Sequence, residues 1–126
     1  MSVRVTGDAL APFLQILKDF EVYSKEKDVS SMIGRFVPDE DIISFGRLAN
    51  KFDKTGLRDH ITEYFAHNDA FIPDYRKVVV YQYGETACLC ALAKGKDSPA
   101  EIRITLFLEN HEGQWLIRHR HHSTLP

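Results

Sequence analysis

Hydrophobic positions along this chain change rhythm once. Up to about Asn68 they recur near every 3.6 residues, and beyond Pro73 they alternate. Leu10, Phe13, Leu14, Leu17, Phe20 and Tyr23 predict a helix from about Asp8 to Ser24, capped by Thr6 or Asp8. Pro12 is tolerated in its first turn. After the polar break Lys25-Glu26-Lys27-Asp28, Asp28 reads as the cap of a short second helix with Val29, Met32, Ile33 and Phe36 on one face. Pro38 ends it. Ile42 to Gly46 predicts a short strand, Arg47 to Asn50 a loop, and Lys51 to Asp53 a hairpin return. Thr55 reads as the cap of a third helix over Gly56 to Asn68, with Leu57, Ile61, Tyr64 and Phe65 as its buried stripe.

Four strand-like runs follow: Lys77–Tyr83, Thr86–Lys94, Glu101–Asn110 and Gln114–Ser123. Their separators, Gly84-Glu85, Gly95 to Pro99 and Glu112-Gly113, have turn chemistry, so the strands should pair as antiparallel hairpins. Helices first and a meander afterwards predict an α+β fold, a curved antiparallel sheet with helices over one face. A length of 126 residues suits one domain, 1–126.

Period two sorts the strand faces. Ile102, Ile104, Leu106 and Leu108 should meet the helices, and the mixed face carrying Phe107 suits solvent or a subunit interface. In the last strand, Trp115, Ile117, His119, His121 and Ser123 fall on one face, and Leu116, Arg118, Arg120 and His122 on the other. Five consecutive basic or imidazole side chains, Arg118 through His122, make a poor core strand unless they line a cavity, an interface or water.

Composition narrows the function classes. A formal net charge of −2 argues against a nucleic-acid or polybasic membrane protein. No apolar run approaches the ~20 residues of a spanning helix, and no signal peptide is expected. Cys88 and Cys90 are expected to be reduced core thiols of a cytoplasmic protein. His119 and His121 share a face, but two ligands do not make a zinc site, and neither metal nor cofactor is expected. The seven glycines are dispersed, which leaves no phosphate loop.

The final run, Gly113-Gln114-Trp115-Leu116-Ile117-Arg118-His119-Arg120-His121-His122-Ser123, resembles the terminal strand of nuclear transport factor 2-like proteins. It is most similar to the association domain of calcium/calmodulin-dependent kinase II and its bacterial relatives, and more distantly to SnoaL-like polyketide cyclases. Gly84-Glu85-Thr86-Ala87-Cys88 resembles that domain's first long hairpin, and Gly56-Leu57 with His60 the start of its third helix. The resemblance implies a cone-shaped, cystatin-like fold, with a strongly bent sheet around the N-terminal helices and a cavity inside. It implies a homodimer through the convex sheet face, to which Phe107, Trp115, His119 and His121 would contribute. It also implies that His60 and His122 reach the cavity. Of three arginine positions that hold a carboxylate in the association domain, two are Ala93 and Leu106 here and the third is His122. Arg118 and Arg120, in phase with His122, could supply the charge instead.

Two functions follow as expectations. One is a ligand-binding or assembly domain, its cavity walled by Leu106, Leu108, Phe45 and Tyr64, with His60, Tyr64, Arg118, Arg120 and His122 as ligand-binding residues and a small carboxylic acid as ligand. The other is a SnoaL-like cyclase, isomerase or dehydratase with Asp41, His60 or His122 as general base.

Overall fold

Two aspartates start helices in the computed structural model, which describes residues 1–95 and 100–125. Asp28 accepts hydrogen bonds from the Ser31 amide at 3.2 Å and the Ser31 hydroxyl at 2.6 Å, and so caps α2, Val29–Gly34. Asp53 accepts from the Gly56 amide at 2.6 Å and caps α3, Lys54–His67. The cap is Asp53 rather than the expected Thr55, whose amide and hydroxyl instead donate to Glu40 Oε1 at 3.0 and 2.8 Å. A β-carbon at Gly56 would lie 2.8 Å from the capping Asp53 oxygen, so a larger residue there would shift the cap. Helix α1, Ala11–Glu26, follows a single 3₁₀ turn over Gly7–Leu10 and ends at Lys27 in the left-handed conformation, φ 53°.

Among the described residues one seven-stranded sheet forms: β1 Val3–Arg4, β2 Asp41–Phe45, β3 Asn50–Asp53, β4 Pro73–Tyr83, β5 Thr86–Gly95, β6 Glu101–His111 and β7 Gln114–Thr124. Its order is β1-β4-β5-β6-β7-β2-β3. The meander β4 to β7 is antiparallel, as its turns predict. The β6–β7 turn holds both Glu112 and Gly113 at positive φ. Of the turn expected from Gly95 to Pro99, residues 96–99 lie outside the described residues.

The sheet departs from the sequence expectation at β2, at β4 and, most of all, at β7. β2 runs parallel to β7, with Ile43, Ser44 and Phe45 opposite His119, Arg120 and His121, so the sheet is not wholly antiparallel. No hairpin constrains this pair, since α3 and the meander lie between the two strands in sequence. β4 starts at Pro73 rather than Lys77, because Arg76 is an extra residue between the Tyr75 and Lys77 pairings and hides the alternation.

The core fills the concave side. Ile102, Ile104, Leu106 and Leu108 are buried there with Ala87, Leu89, Ala91 and Ala93 of β5, against Phe13, Ile16 and Leu17 of α1 and Leu57 of α3. Since the even-numbered side of β5 is therefore outward, Cys88 and Cys90 are not core thiols. They lie on the outer face, Cys90 exposed, with their sulfurs 3.9 Å apart.

The largest correction falls on β7. Phe107 pairs with His119 and Leu108 with Ile117, so Arg118 is an unpaired bulge residue. One inserted residue reverses the alternation. Trp115 and Ile117 therefore point inward before the bulge, and Arg120 and His122 inward after it. Trp115 does not belong to the outer face. It is 8% exposed and its ring stacks at 40° on Phe13, centroids 5.1 Å apart. Arg118 is turned away from the interior. Its Nε and Nη2 donate to the two oxygens of Glu109 at 2.8 and 3.0 Å. Its Nη1 and Nη2 donate to Asp39 at 2.6 and 3.1 Å, and Nη1 also to the Asp41 carbonyl.

Trp115→Ala should therefore cost about 3–5 kcal/mol of folding stability, as truncation of a buried large aromatic does. Urea unfolding checks this. A variant of unchanged stability with weakened self-association would return Trp115 to a surface role.

Candidate functional site

The concave side of the sheet is not filled to its mouth. A cavity of about 160 Å³ lies between α1, α3 and the sheet. Tyr75 of β4 and Ser44 of β2 both line it although β5, β6 and β7 separate them, so the sheet curls around the helices. Its walls are apolar: Leu57 and Ile61 from α3, Ile104 and Leu106 from β6, Ile117 from β7 and Leu17 from α1. This lining follows from helical spacing on one side and period two on the other.

The polar groups sit on neighbouring strands. Arg120 of β7 lies beside Leu106 of β6 and Ser44 of β2, and Ser44 is the polar residue of the core at 2% exposure. Two residues on, His122 faces the same space. An arginine nitrogen of Arg120 stands 3.3 Å from His122 Nδ1. Guanidinium has no acceptor, so Arg120 donates, His122 Nδ1 accepts, and the neutral ring carries its proton on Nε2. Tyr75 brings a phenol from β4, and α3 brings His60 and Tyr64.

Desolvation sets the charge states. It lowers Arg120 to about 10, so the guanidinium stays cationic at neutral pH. Desolvation, with Arg120 and Arg47 nearby, drives His122 well below 6.5 and keeps it neutral. His60 is lowered by desolvation and by Lys51 and Arg120. Tyr75 is pushed up to about 12 by desolvation and remains a hydroxyl donor. Among the described residues, no Asp or Glu side chain pairs with Arg120. Glu109, on the neighbouring strand, is held by Arg118.

Four of the five sequence-predicted ligand residues thus meet: His60, Tyr64, Arg120 and His122. Arg118 does not, for the bulge turns it out onto Glu109 and Asp39. Of the expected walls, Leu106 lines the cavity. Leu108 is buried elsewhere in the core, and Phe45 lies outside, its ring 5.5 and 6.0 Å from those of His119 and His121. Asp41, a candidate base, is exposed and outside the cavity lining. Sequence reasoning missed Tyr75, Ser44, Arg47, Lys51 and Glu21. Ser44 was legible as the inward neighbour of Ile42. Tyr75 was hidden by the bulge at Arg76, and Arg47 sits in a loop without periodicity, its guanidinium 4.7 Å above the Phe71 ring.

The outer face carries a different set. Tyr81, Cys88, Phe107, His119 and Ile43 form one cross-strand row, and Val79, Cys90, Thr105, His121 and Phe45 the next. Phe107 is 39% and Phe52 64% exposed. Among the described residues, no group of three or more metal-ligating side chains occurs, and no helix is long and apolar enough to cross a membrane.

Comparison with known proteins agrees with this architecture. The family model of the SnoaL-like domain matches residues 14–126. A nuclear transport factor 2-like protein of unknown function from Pseudomonas putida is 18% identical, with TM-score 0.77 over 91% of this chain and 85% of that one. A cystatin-like fold protein of unknown function from Nostoc punctiforme is 13% identical, with TM-score 0.80 over 98% and 96%. A protein from Shewanella frigidimarina, described as a proposed ketosteroid isomerase, is 16% identical, with TM-score 0.70 over 86% and 92%. At these identities the solved structures share the fold alone. No curated protein matches the chain.

The half-buried His122 imidazole gives stability a pH dependence with a definite sign. In the unfolded chain His122 takes up a proton near its ordinary 6.5, and in the fold it stays neutral. Stability therefore falls as pH drops below about 6.5. Asp39 and Glu109, held low chiefly by hydrogen bonds from Arg118, lose their contribution only at more acid pH, below the ordinary carboxylate range. His122→Gln, which keeps an acceptor for Arg120, should flatten the stability slope between about pH 6.5 and 5 in urea unfolding. His60 and His119, also lowered by desolvation, would retain the remainder. An unchanged slope would mean that His122 titrates as if in water.

Proposed function

The chain belongs to the SnoaL-like domain family, and we propose that within it this protein binds a small carboxylic acid in its cavity. One observation carries the reading: the half-buried guanidinium of Arg120 faces an apolar-walled space and has no carboxylate partner among the described residues. A cation so placed costs free energy unless an anion joins it, and a ligand carboxylate is that anion. Guanidinium takes it in two parallel hydrogen bonds, and the Ser44 hydroxyl, His122 Nε2–H and Tyr75 phenol are further donors on the same lining. The walls bury the ligand's body.

A second reading has one observation in its favour. His60 is kept neutral beside the cavity, which is the state a general base requires, and Tyr75 is a neutral donor on the opposite wall. In that case the bound acid is a substrate of a cyclase-, isomerase- or dehydratase-type reaction, and mass spectrometry after incubation shows it changed.

We further propose that two copies associate through the outer sheet face, with Phe107, His119 and His121 in the contact alongside Phe45, Tyr81 and Phe52. The exposed aromatic and imidazole rows support this. A cytoplasmic location is proposed with it, on the two unbridged cysteines.

Arg120→Met should weaken binding of short-chain and aromatic acids by about 10- to 100-fold, the share of a charge-assisted hydrogen bond. It should leave folding stability equal or higher, since an unpaired desolvated charge is removed. Isothermal titration and thermal unfolding together read this. Acids that bind wild type and variant equally would remove Arg120 from the site. For the outer face, light scattering after size exclusion should give a dimer, and Phe107→Asp should shift it to monomer. A monomeric wild-type protein would end the dimer proposal.

A further inference from the structure

The size, walls and polarity of the cavity select among small acids. Its volume is about 160 Å³. A protein cavity of about 150 Å³ lined by aliphatic and aromatic side chains takes up benzene. The space here thus matches one six-membered ring, and a second fused ring would have to stand in the mouth.

The lining suits a ring better than a chain of equal volume. Ile61 and Leu57 face it from one side, Ile104 and Leu106 from the other. Tyr64, Phe65, Phe71 and Tyr75 lie around the same space and offer the edge and face contacts that aromatic pairs favour. A ring loses no chain torsions on binding, whereas a flexible alkyl chain loses several.

Charge sets the ring's direction. Arg120, half-buried on β7 between Leu106 and Ser44 and away from the sheet margins, is the lining's carboxylate-seeking group. Arg47 and Lys51 belong to the β2–β3 connection and its return strand, and Arg47 is exposed. Glu21 on α1 is already paired with Lys25 at 3.3 Å. A carboxylate at Arg120 therefore leaves the ring against the apolar walls and its far edge toward the mouth.

We infer that the ligand is a monocyclic aromatic acid, of the benzoate or phenylacetate class, bound carboxylate-inward on Arg120. The inference rests on the small-acid reading above and narrows it.

Isothermal titration of the wild-type protein with acetate, hexanoate, benzoate, phenylacetate and 2-naphthoate tests it. Benzoate or phenylacetate should bind at least about tenfold more tightly than acetate and more tightly than hexanoate and 2-naphthoate. Leu106→Phe, which fills the space beside Arg120, should weaken benzoate binding at least about tenfold more than acetate binding in a sample whose melting transition shows it folded. Absence of binding by every acid overturns the small-acid reading and this inference with it. Acetate as tight as benzoate, or 2-naphthoate tighter than benzoate, overturns this inference alone and leaves the small-acid reading standing. Should Leu106→Phe fail to fold, the ranking of the five acids on the wild-type protein decides.

Discussion

The ion pairs of Arg118 hold the feature on which the interior depends. A bulge needs somewhere to send its extra side chain. Here the guanidinium spans Glu109 of the adjacent strand and Asp39 ahead of β2, and also reaches the Asp41 carbonyl. The two carboxylates lie below their usual range and the guanidinium above its own, each chiefly through these hydrogen bonds. Because Arg118 is accommodated outside, the residues on either side can both turn inward. Trp115 and Ile117 close one end of the core, and Arg120 and His122 supply polar groups to the cavity at the other. Without the inserted residue, the strand would present either its aromatic half or its basic half to the interior, not both.

The same bulge marks the boundary of what could be read from residues alone. Element types followed from periodicity, and so did the inward faces of β5 and β6, where alternation is unbroken. Gly113 with Glu112 announced the last turn, and Asp28 its helix. Reading failed where one residue was inserted. Period two carried across Arg118 put Trp115 outside and Arg118 inside, and Arg76 concealed Tyr75 on the extended part of β4. A bulge leaves little trace in sequence, because its signal is a partner's register. Arg120 and His122 both follow the bulge, in phase with each other, and so share the cavity lining.

The candidate site was legible in its chemistry more than in its membership. Basic crowding near the end of the chain announced a polar-lined space or an interface, and the structure puts Arg120 and His122 on the cavity lining and His119 and His121 on the outer face. Of the groups that came unannounced, Ser44 and Arg47 belong to β2 and the loop after it. That segment meets the site through a parallel pairing that local patterns do not encode. That no carboxylate among the described residues pairs with Arg120 is likewise a property of three dimensions. Glu109 is near in sequence and on the adjacent strand, yet it is committed to Arg118.

That parallel pairing has a kinetic meaning. Ile43 joins His119 across roughly 75 residues of chain, whereas the hairpins of the meander close over short turns. Loop-closure entropy and contact order place such a pairing late in folding, after β4 to β7 have zipped. Contacts that form last and span furthest also tend to open first, in sub-global steps below the free energy of complete unfolding. β2 and β3 form one margin of the sheet and carry Ser44 and Lys51 on the cavity lining. Excursions of that margin would admit a ligand while the rest of the sheet stays paired. The least local part of the fold is thereby the part whose opening would uncover Ser44 and Lys51.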